Sequence, residues 1–150
     1  MSLLGLNPIP NLHFMVKIDI RYEGGLRCAA THGPSGPKLF TDAPVDNHGR
    51  GESFSPTDLL ATALGSCMAT IMGIAAERHK IDLRGMAIEV TKVMSADAPR
   101  RIAKLVTTIK VPLPADHPQR ALLENAALTC PVHKSLSAEM EKPIEFEWVG

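Results

Sequence analysis

The chain has little of what identifies several large classes of protein. It has three cysteines in 150 residues, too few for the disulfide framework of a small secreted domain, and an odd number fits a reducing compartment. Sixteen Lys and Arg residues balance sixteen Asp and Glu residues. The balance argues against a nucleic-acid partner and against an acidic disordered tail. We therefore expect a cytoplasmic globular protein.

The N-terminus lacks the basic stretch of a secretory signal peptide, and it contains Pro8 and Pro10. The first clear strand begins at Met15, so we interpret residues 1–14 as an N-terminal extension or as residues added for expression. Residues 15–150 are predicted to form a single domain. The chain also lacks a glycine-rich phosphate loop and a nucleophile-elbow serine.

One uncharged stretch of eighteen residues, from Leu59 to Ala76, reaches the threshold length of a membrane span. Gly, Ala, Ser and Thr fill more than half of it, so a buried core helix is the better interpretation and no membrane association is expected. Ser55, Pro56 and Asp58 supply helix-start signals, and the helix should run to about His79. Because it is apolar on nearly all sides, protein must surround it.

Alternating apolar residues predict the strands. Three strands are expected between residues 16 and 41, a hairpin over 86–112 and a last strand over 144–148. Two shorter helices fill the gap before the last strand, one from Asp116 and one from Cys130. The apolar stripe of the second is Val132, Leu136 and Met140. The fold class is therefore α+β, with the element order βββ-α-ββ-αα-β and a long buried central helix.

Cys67 lies near the middle of the central helix. A free cysteine there is often only a small buried hydrophobe, and apolar surroundings disfavour its thiolate. A reactive Cys67 therefore needs a nearby cation. Cys130 is intrinsically better placed, because amides at a helix N-terminus stabilise a thiolate. Cys28, in the second strand, is interpreted as a core residue.

His133, three residues after Cys130, allows two weaker interpretations. Cys130 and His133 have the spacing of a zinc-ligand pair, but a structural zinc needs four ligands and no second pair is present. A cysteine hydrolase with His133 as its base is disfavoured by the expected directions of the two side chains. A surface helix residue is the simplest interpretation.

Two segments resemble known motifs. The run Ser-Pro-Thr-Asp-Leu-Leu-Ala-Thr-Ala-Leu-Gly-Ser-Cys over residues 55–67, followed by an apolar helix, resembles the first cysteine motif of the OsmC/Ohr family, the osmotically inducible and organic hydroperoxide resistance proteins. Leu-Thr-Cys-Pro-Val over residues 128–132 resembles its second. The resemblance extends over about residues 16–149 and includes the order of the elements.

The resemblance implies an intertwined homodimer that reduces hydroperoxides without metal or flavin, with its two active sites at the subunit interface. By position, Cys67 attacks the peroxide and Cys130 resolves the sulfenic acid as a disulfide, which reverses the order of reactivity expected from helix geometry. A dithiol or thioredoxin-like protein would then restore both thiols. The apolar surroundings suit an organic hydroperoxide.

The chain departs from the family pattern at Thr57, where a glutamate would hold the arginine that stabilises the Cys67 thiolate. Arg27 is the best candidate for that arginine by position, with Arg21 and Arg50 as alternatives. Glu52 or Asp58 could supply the carboxylate.

These departures indicate a divergent branch of the family. A non-enzymatic module, which senses redox state or binds an apolar ligand, is the alternative function.

Overall fold

The computed structural model describes residues 15–150, so the interpretation of residues 1–14 lies outside the described part. The chain divides into two compact units, one ending at Ser55 and the other comprising Pro56–Gly150. The secondary structure has the predicted order βββ-α-ββ-αα-β. A short 3-10 helix at Val45–Asn47 also lies in the loop before the first α-helix.

The N-terminal unit contains an antiparallel sheet whose three strands follow one another in chain order. They are β1 (Ile18–Gly24), β2 (Arg27–His32) and β3 (Lys38–Asp42). The turn between β1 and β2 has positive φ at three consecutive residues, two of them glycines, which have no Cβ to oppose that conformation. The expectation of a half-buried first strand is wrong, because nearly every residue of β1 is exposed on both faces.

The long helix α1 (Pro56–Arg78) has the bounds that the helix-start signals predict. Its buried face packs against the other elements of the C-terminal unit. By length and composition alone α1 could cross a membrane, but the core helix of a globular protein meets the same criteria. Gly65 lets α1 approach the sheet closely, since a Cβ there would lie 3.0 Å from Val90.

The sheet of the C-terminal unit has the order β4-β5-β6, with β5 in the centre. β4 (Ala87–Met94) and β5 (Ile102–Val111) form the predicted antiparallel hairpin, and β6 (Ile144–Trp148) pairs in parallel with β5. The core lies between this sheet and the helices. Its fully buried large side chains are Leu64, Met68, Met72, Leu105, Ile109 and Leu123.

The last two helices are short. Helix α2 comprises Arg120–Leu128, and α3 comprises only the five residues Pro131–Ser135. The expectation that α3 continues through Met140 is wrong, because Leu136 is already extended at φ −76° and ψ 150°. Leu136 and Met140 nevertheless pack against the core from irregular backbone, which explains why their spacing resembled a helical stripe.

Candidate active site

The two cysteines of the motifs come together in the C-terminal unit. Cys67 lies half-buried near the middle of α1, and Cys130 is fully buried at the N-terminus of α3. The Cys67 thiol lies close enough to the Cys130 thiol to raise its pKa. Packing of α1 against α3 thus brings together two cysteines that are 63 positions apart in the sequence. This arrangement can form a reversible disulfide if one sulfur is oxidised.

Cys130 is the N-cap residue of α3. Its backbone is extended, at φ −62° and ψ 146°, and its sulfur accepts a hydrogen bond of 3.4 Å from the backbone N–H of His133. Burial nevertheless raises the pKa of Cys130, and its hydrogen bond with Cys67 acts in the same direction, whereas the His133 amide opposes the shift. Contrary to the sequence reasoning, the helix N-terminus therefore does not hold the pKa of Cys130 below its ordinary value.

Arg27 lies in the N-terminal unit between two carboxylates. Its guanidinium donates to Glu52 and, at 3.4 Å, to Asp42. Asp42 is fully buried and also accepts a 2.9 Å hydrogen bond from the Glu52 backbone N–H. The bond with Asp42 raises the pKa of Arg27, and the Glu52 amide lowers the pKa of Asp42. Arg27 is therefore held as a cation.

Strand pairing and a compact loop explain this cluster. Arg27 of β2 is directly opposite Asp42 of β3, so the two side chains share one face of the sheet. The loop after β3 brings Glu52 to the Arg27 guanidinium. Within this loop, the Gly51 N–H donates to the Ala43 carbonyl at 3.1 Å. Gly49 permits the loop to close, because a Cβ there would lie 1.7 Å from the Ala43 oxygen.

The other predicted carboxylate, Asp58, has a cation of its own unit as its partner. Asp58, near the start of α1, forms a 2.6 Å ion pair with Lys92 of β4. The same ammonium donates to the Thr57 hydroxyl at 2.8 Å. Thr57, where the family pattern has a glutamate, is thus hydrogen-bonded to a lysine. The carboxylates that contact Arg27 are Glu52 and Asp42.

Sequence reasoning missed Asp42 and Lys92. Asp42 is the acid that ends the short strand Lys38–Asp42, and that position was its only signal in the sequence. Lys92 occupies an inward-facing position of β4, where the alternation of the strand predicts an apolar residue. Such a break in the pattern commonly indicates a buried partner.

Cys28 is only partly buried and is not part of the core, contrary to expectation. It lies opposite Tyr22 on β1 and Thr41 on β3. Among residues 15–150, no group of three or more His, Cys, Asp or Glu side chains is arranged to hold a metal ion.

A family model described as OsmC-like protein matches residues 49–145 of the chain. The chain belongs to the OsmC-like protein family. The match contains both cysteine motifs and begins just before Glu52.

Solved structures agree with this assignment. One, from Psychrobacter arcticus, is described as a candidate osmotic stress induced and detoxification response protein. It is 46% identical, with a TM-score of 0.83, over 91% of this chain and 100% of its own. No curated protein matches the chain.

More distant structures share the OsmC-like fold. An organic hydroperoxide resistance protein OsmC from Legionella pneumophila is 15% identical with a TM-score of 0.74, over 91% of this chain and 99% of its own. An organic hydroperoxide resistance protein from Elizabethkingia anophelis is 12% identical with a TM-score of 0.73, over 94% of this chain and 100% of its own.

Proposed function

We propose that this OsmC-like protein is a peroxidase that reduces organic hydroperoxides with the thiols of Cys67 and Cys130. The contact between these two thiols across α1 and α3 is the observation that carries the proposal. Family membership supports it, since relatives of the same fold are named organic hydroperoxide resistance proteins. The physiological role would be defence against oxidative stress.

Cys67 is the attacking residue in this scheme. It is the more exposed of the two thiols, whereas Cys130 has no exposed surface. The Cys67 thiolate attacks the terminal oxygen of the hydroperoxide and the O–O bond breaks. The alkoxide takes a proton from water and leaves as the alcohol, and the sulfur becomes a sulfenic acid. Cys130 then attacks that sulfur, and water leaves as the disulfide forms. A dithiol or a thioredoxin-like protein reduces the disulfide by exchange.

Arg27 is assigned the role of the activating cation. A nearby positive charge favours a thiolate over a thiol, and two carboxylates keep the guanidinium charged and fixed. Glu52 and Asp42 then act as positioning residues for Arg27. Asp58 instead pairs with Lys92, so we assign it to anchoring the start of α1.

We further propose a homodimer in the reducing environment of the cytoplasm. Ile18, Ile20 and Tyr22 on one face of β1 are more than half exposed, and together they form an apolar sheet face. On α1, Thr62, Ser66, Thr70 and Ile74 form an exposed stripe. The three hydroxyls of this stripe donate to carbonyls four residues earlier, so it can pack closely against a second subunit.

Turnover of an alkyl hydroperoxide with excess dithiothreitol tests the function. The wild type and Cys28→Ser should consume the hydroperoxide catalytically at similar rates. Cys67→Ser should consume none, because no other nucleophile is proposed. In the absence of the dithiol, Cys130→Ser should consume about one equivalent rapidly to form the sulfenic acid, and a second equivalent more slowly as that acid is oxidised to the sulfinic acid.

Equal activity of the wild type and Cys67→Ser would exclude the peroxidase. Stoichiometric binding of the hydroperoxide without turnover would favour the apolar-ligand or redox-sensing module.

A further inference from the structure

Gly65 is buried where α1 packs against β4. A Cβ on Gly65 would lie 3.0 Å from the methyl carbon Cγ2 of Val90 and 3.3 Å from the methyl carbon Cγ2 of Ile88. Both neighbours are β-branched, and such side chains have little rotational freedom at χ1. The contact has no room for a side chain at position 65, so any other residue there would push α1 away from β4.

Cys67 follows Gly65 by two residues in α1 and faces the other way. Successive residues of an α-helix are about 100° apart around its axis, so Cys67 points away from β4. On that side its thiol lies next to the thiol of Cys130, which has no exposed surface. Helix α1 therefore lies between β4 and Cys130, and its distance from β4 determines where the Cys67 sulfur meets the Cys130 sulfur.

A second contact prevents α1 from sliding along β4. Lys92 shares the inward face of β4 with Val90. Its ammonium contacts the Asp58 carboxylate at 2.6 Å and the Thr57 hydroxyl at 2.8 Å. Because these bonds fix the start of α1 on the strand, a side chain added at position 65 would displace the helix outward rather than along its axis.

We propose that Gly65 is a positioning residue for Cys67. Its lack of a side chain sets α1 at the depth from which the Cys67 sulfur can bond to the Cys130 sulfur. This inference rests on the proposed function and extends it to a residue that takes no part in the chemistry. Disulfides require Cα atoms about 4.4 to 6.8 Å apart and a narrow range of dihedral angles. A displaced α1 should therefore form the disulfide more slowly.

An aromatic disulfide reagent measures formation of this disulfide without peroxide. In a Cys28→Ser background, one equivalent of 5,5′-dithiobis(2-nitrobenzoate) should first react with the more exposed Cys67 and release one thionitrobenzoate. Cys130 then attacks the Cys67 sulfur of the mixed disulfide. The mixed S–S bond breaks, the second thionitrobenzoate leaves, and the Cys67–Cys130 disulfide forms. The rate of the second release therefore reports how well the two sulfurs are aligned.

Gly65→Ala is the test variant, because it adds one carbon at the crowded contact while alanine favours a helix. The second release should slow about tenfold, since a displacement of about 1 Å can cost about a hundredfold in rate. The first release should be unchanged, because it involves Cys67 alone. Gly73→Ala is the matched control in the same helix, at a position where a Cβ meets nothing within 4 Å among the described residues. Its second release should match the wild type.

Val90→Ala separates the position of α1 from the stability of the protein. Loss of two partly buried methyl groups should lower the Tm, but it does not push α1 outward, so the second release should stay near the wild-type rate. In the double variant Gly65→Ala/Val90→Ala, the new carbon occupies the space of a lost methyl group. The second release should then recover although the Tm remains low. A glycine with only a structural role would give rates that follow the Tm.

Two results would overturn the positioning role of Gly65. One is a second release in Gly65→Ala at the wild-type rate, and the other is a slowed release that Val90→Ala does not restore. If Gly65→Ala alone does not fold, the double variant must fold and release at the wild-type rate, and its failure would also overturn the role. Failure of the proposed function gives a different pattern. A wild type that consumes no hydroperoxide would exclude the peroxidase, while a slowed and restored second release would still support Gly65 as the residue that positions Cys67.

Discussion

At the scale of single residues, the proposed activation of Cys67 by Arg27 is the first step that can be tested. Arg27 is fixed by a buried aspartate and by Glu52. Cys67 lies in a largely apolar helix, and in general a positive charge close to a thiol favours its reactive thiolate form. The proposed activation of Cys67 therefore requires the positive charge of Arg27.

Arg27→Met should slow alkylation of Cys67 at neutral pH. The expected loss is about tenfold, since a neighbouring opposite charge commonly favours the ionised form by one to three pKa units. The measurement is the rate of iodoacetamide labelling against pH, in a Cys28/Cys130 double-serine background. Lys38→Met is the control, because Lys38 is an exposed cation on the adjacent strand β3.

An unchanged labelling profile in Arg27→Met would exclude that arginine. Equal slowing in Arg27→Met and Lys38→Met would indicate a general effect of net charge. In the first case, Arg21 and Arg50 become the next candidates.

Asp42 should make the stability of the protein depend on pH. Its pKa is lowered in the folded state, chiefly by the Glu52 amide and also by Arg27. Its contribution to stability is therefore complete above about pH 4, the ordinary range of aspartate, and is lost as the pH falls through the lower folded-state pKa.

Asp42→Asn should reduce the Tm at pH 7, and the difference from the wild type should narrow below about pH 4. Differential scanning calorimetry from pH 2.5 to 7 measures both effects. Asp19→Asn, on the exposed strand β1, should show neither effect. A difference that stays constant with pH would contradict a charged role for Asp42.

At the scale of elements, one side chain connects α2 to the last strand. Glu124 accepts hydrogen bonds from Trp148 Nε1 at 3.0 Å and from Arg120 Nε at 2.9 Å. The Arg120 guanidinium also lies 5.4 Å from the centre of the Trp148 ring, within the range of a cation–π contact. These contacts hold β6 against the helix layer.

Glu124→Ala should lower the free energy of unfolding by about 1 to 3 kcal/mol, because it leaves the partly buried indole N–H without its acceptor. The single tryptophan of the chain reports the same change as a red shift of its emission. Glu139→Ala, at an exposed position, is the control for loss of a surface carboxylate. An unchanged unfolding curve for Glu124→Ala would show that packing alone holds β6.

The sequence predicts elements better than it predicts the contacts between them. Pro56 and the apolar run determine where α1 begins and ends, so its bounds were correct. The end of α3 was not predictable, because Leu136 and Met140 reach the core without helical backbone. The spacing of apolar residues indicates which residues are buried. It does not show whether their backbone is helical or irregular.

The candidate site could likewise be predicted only in part. The two cysteine motifs identify Cys67 and Cys130, since each is a local pattern. Asp42 contacts Arg27 only because of the register of β2 and β3, which depends on the turn that connects them. Local sequence does not specify that register, so the choice of carboxylate remained open.

At the scale of the whole molecule, exposed apolar surface supports a second subunit. Ile20 and Tyr22 are each 67% exposed on an edge strand. The expectation that protein surrounds α1 is also only partly met within one chain, because one stripe of the helix is exposed. Residues so exposed in a monomer favour association.

Sedimentation equilibrium should therefore find a homodimer at micromolar concentration. Ile20→Asp should shift it toward the monomer, because it places a charge on the apolar face of β1. Arg21→Asp is the matched control, since neighbouring residues of a strand point to opposite faces. A wild-type monomer at these concentrations would refute the dimer.

The central claim is that Cys67 and Cys130 act as a pair on a hydroperoxide. The most direct measurement is peptide mapping by mass spectrometry, under non-reducing conditions, after one equivalent of cumene hydroperoxide. The account predicts a disulfide between the Cys67 and Cys130 peptides of one subunit, with Cys28 remaining a free thiol. A link from Cys67 to Cys28, or no disulfide after the hydroperoxide has been consumed, would contradict it.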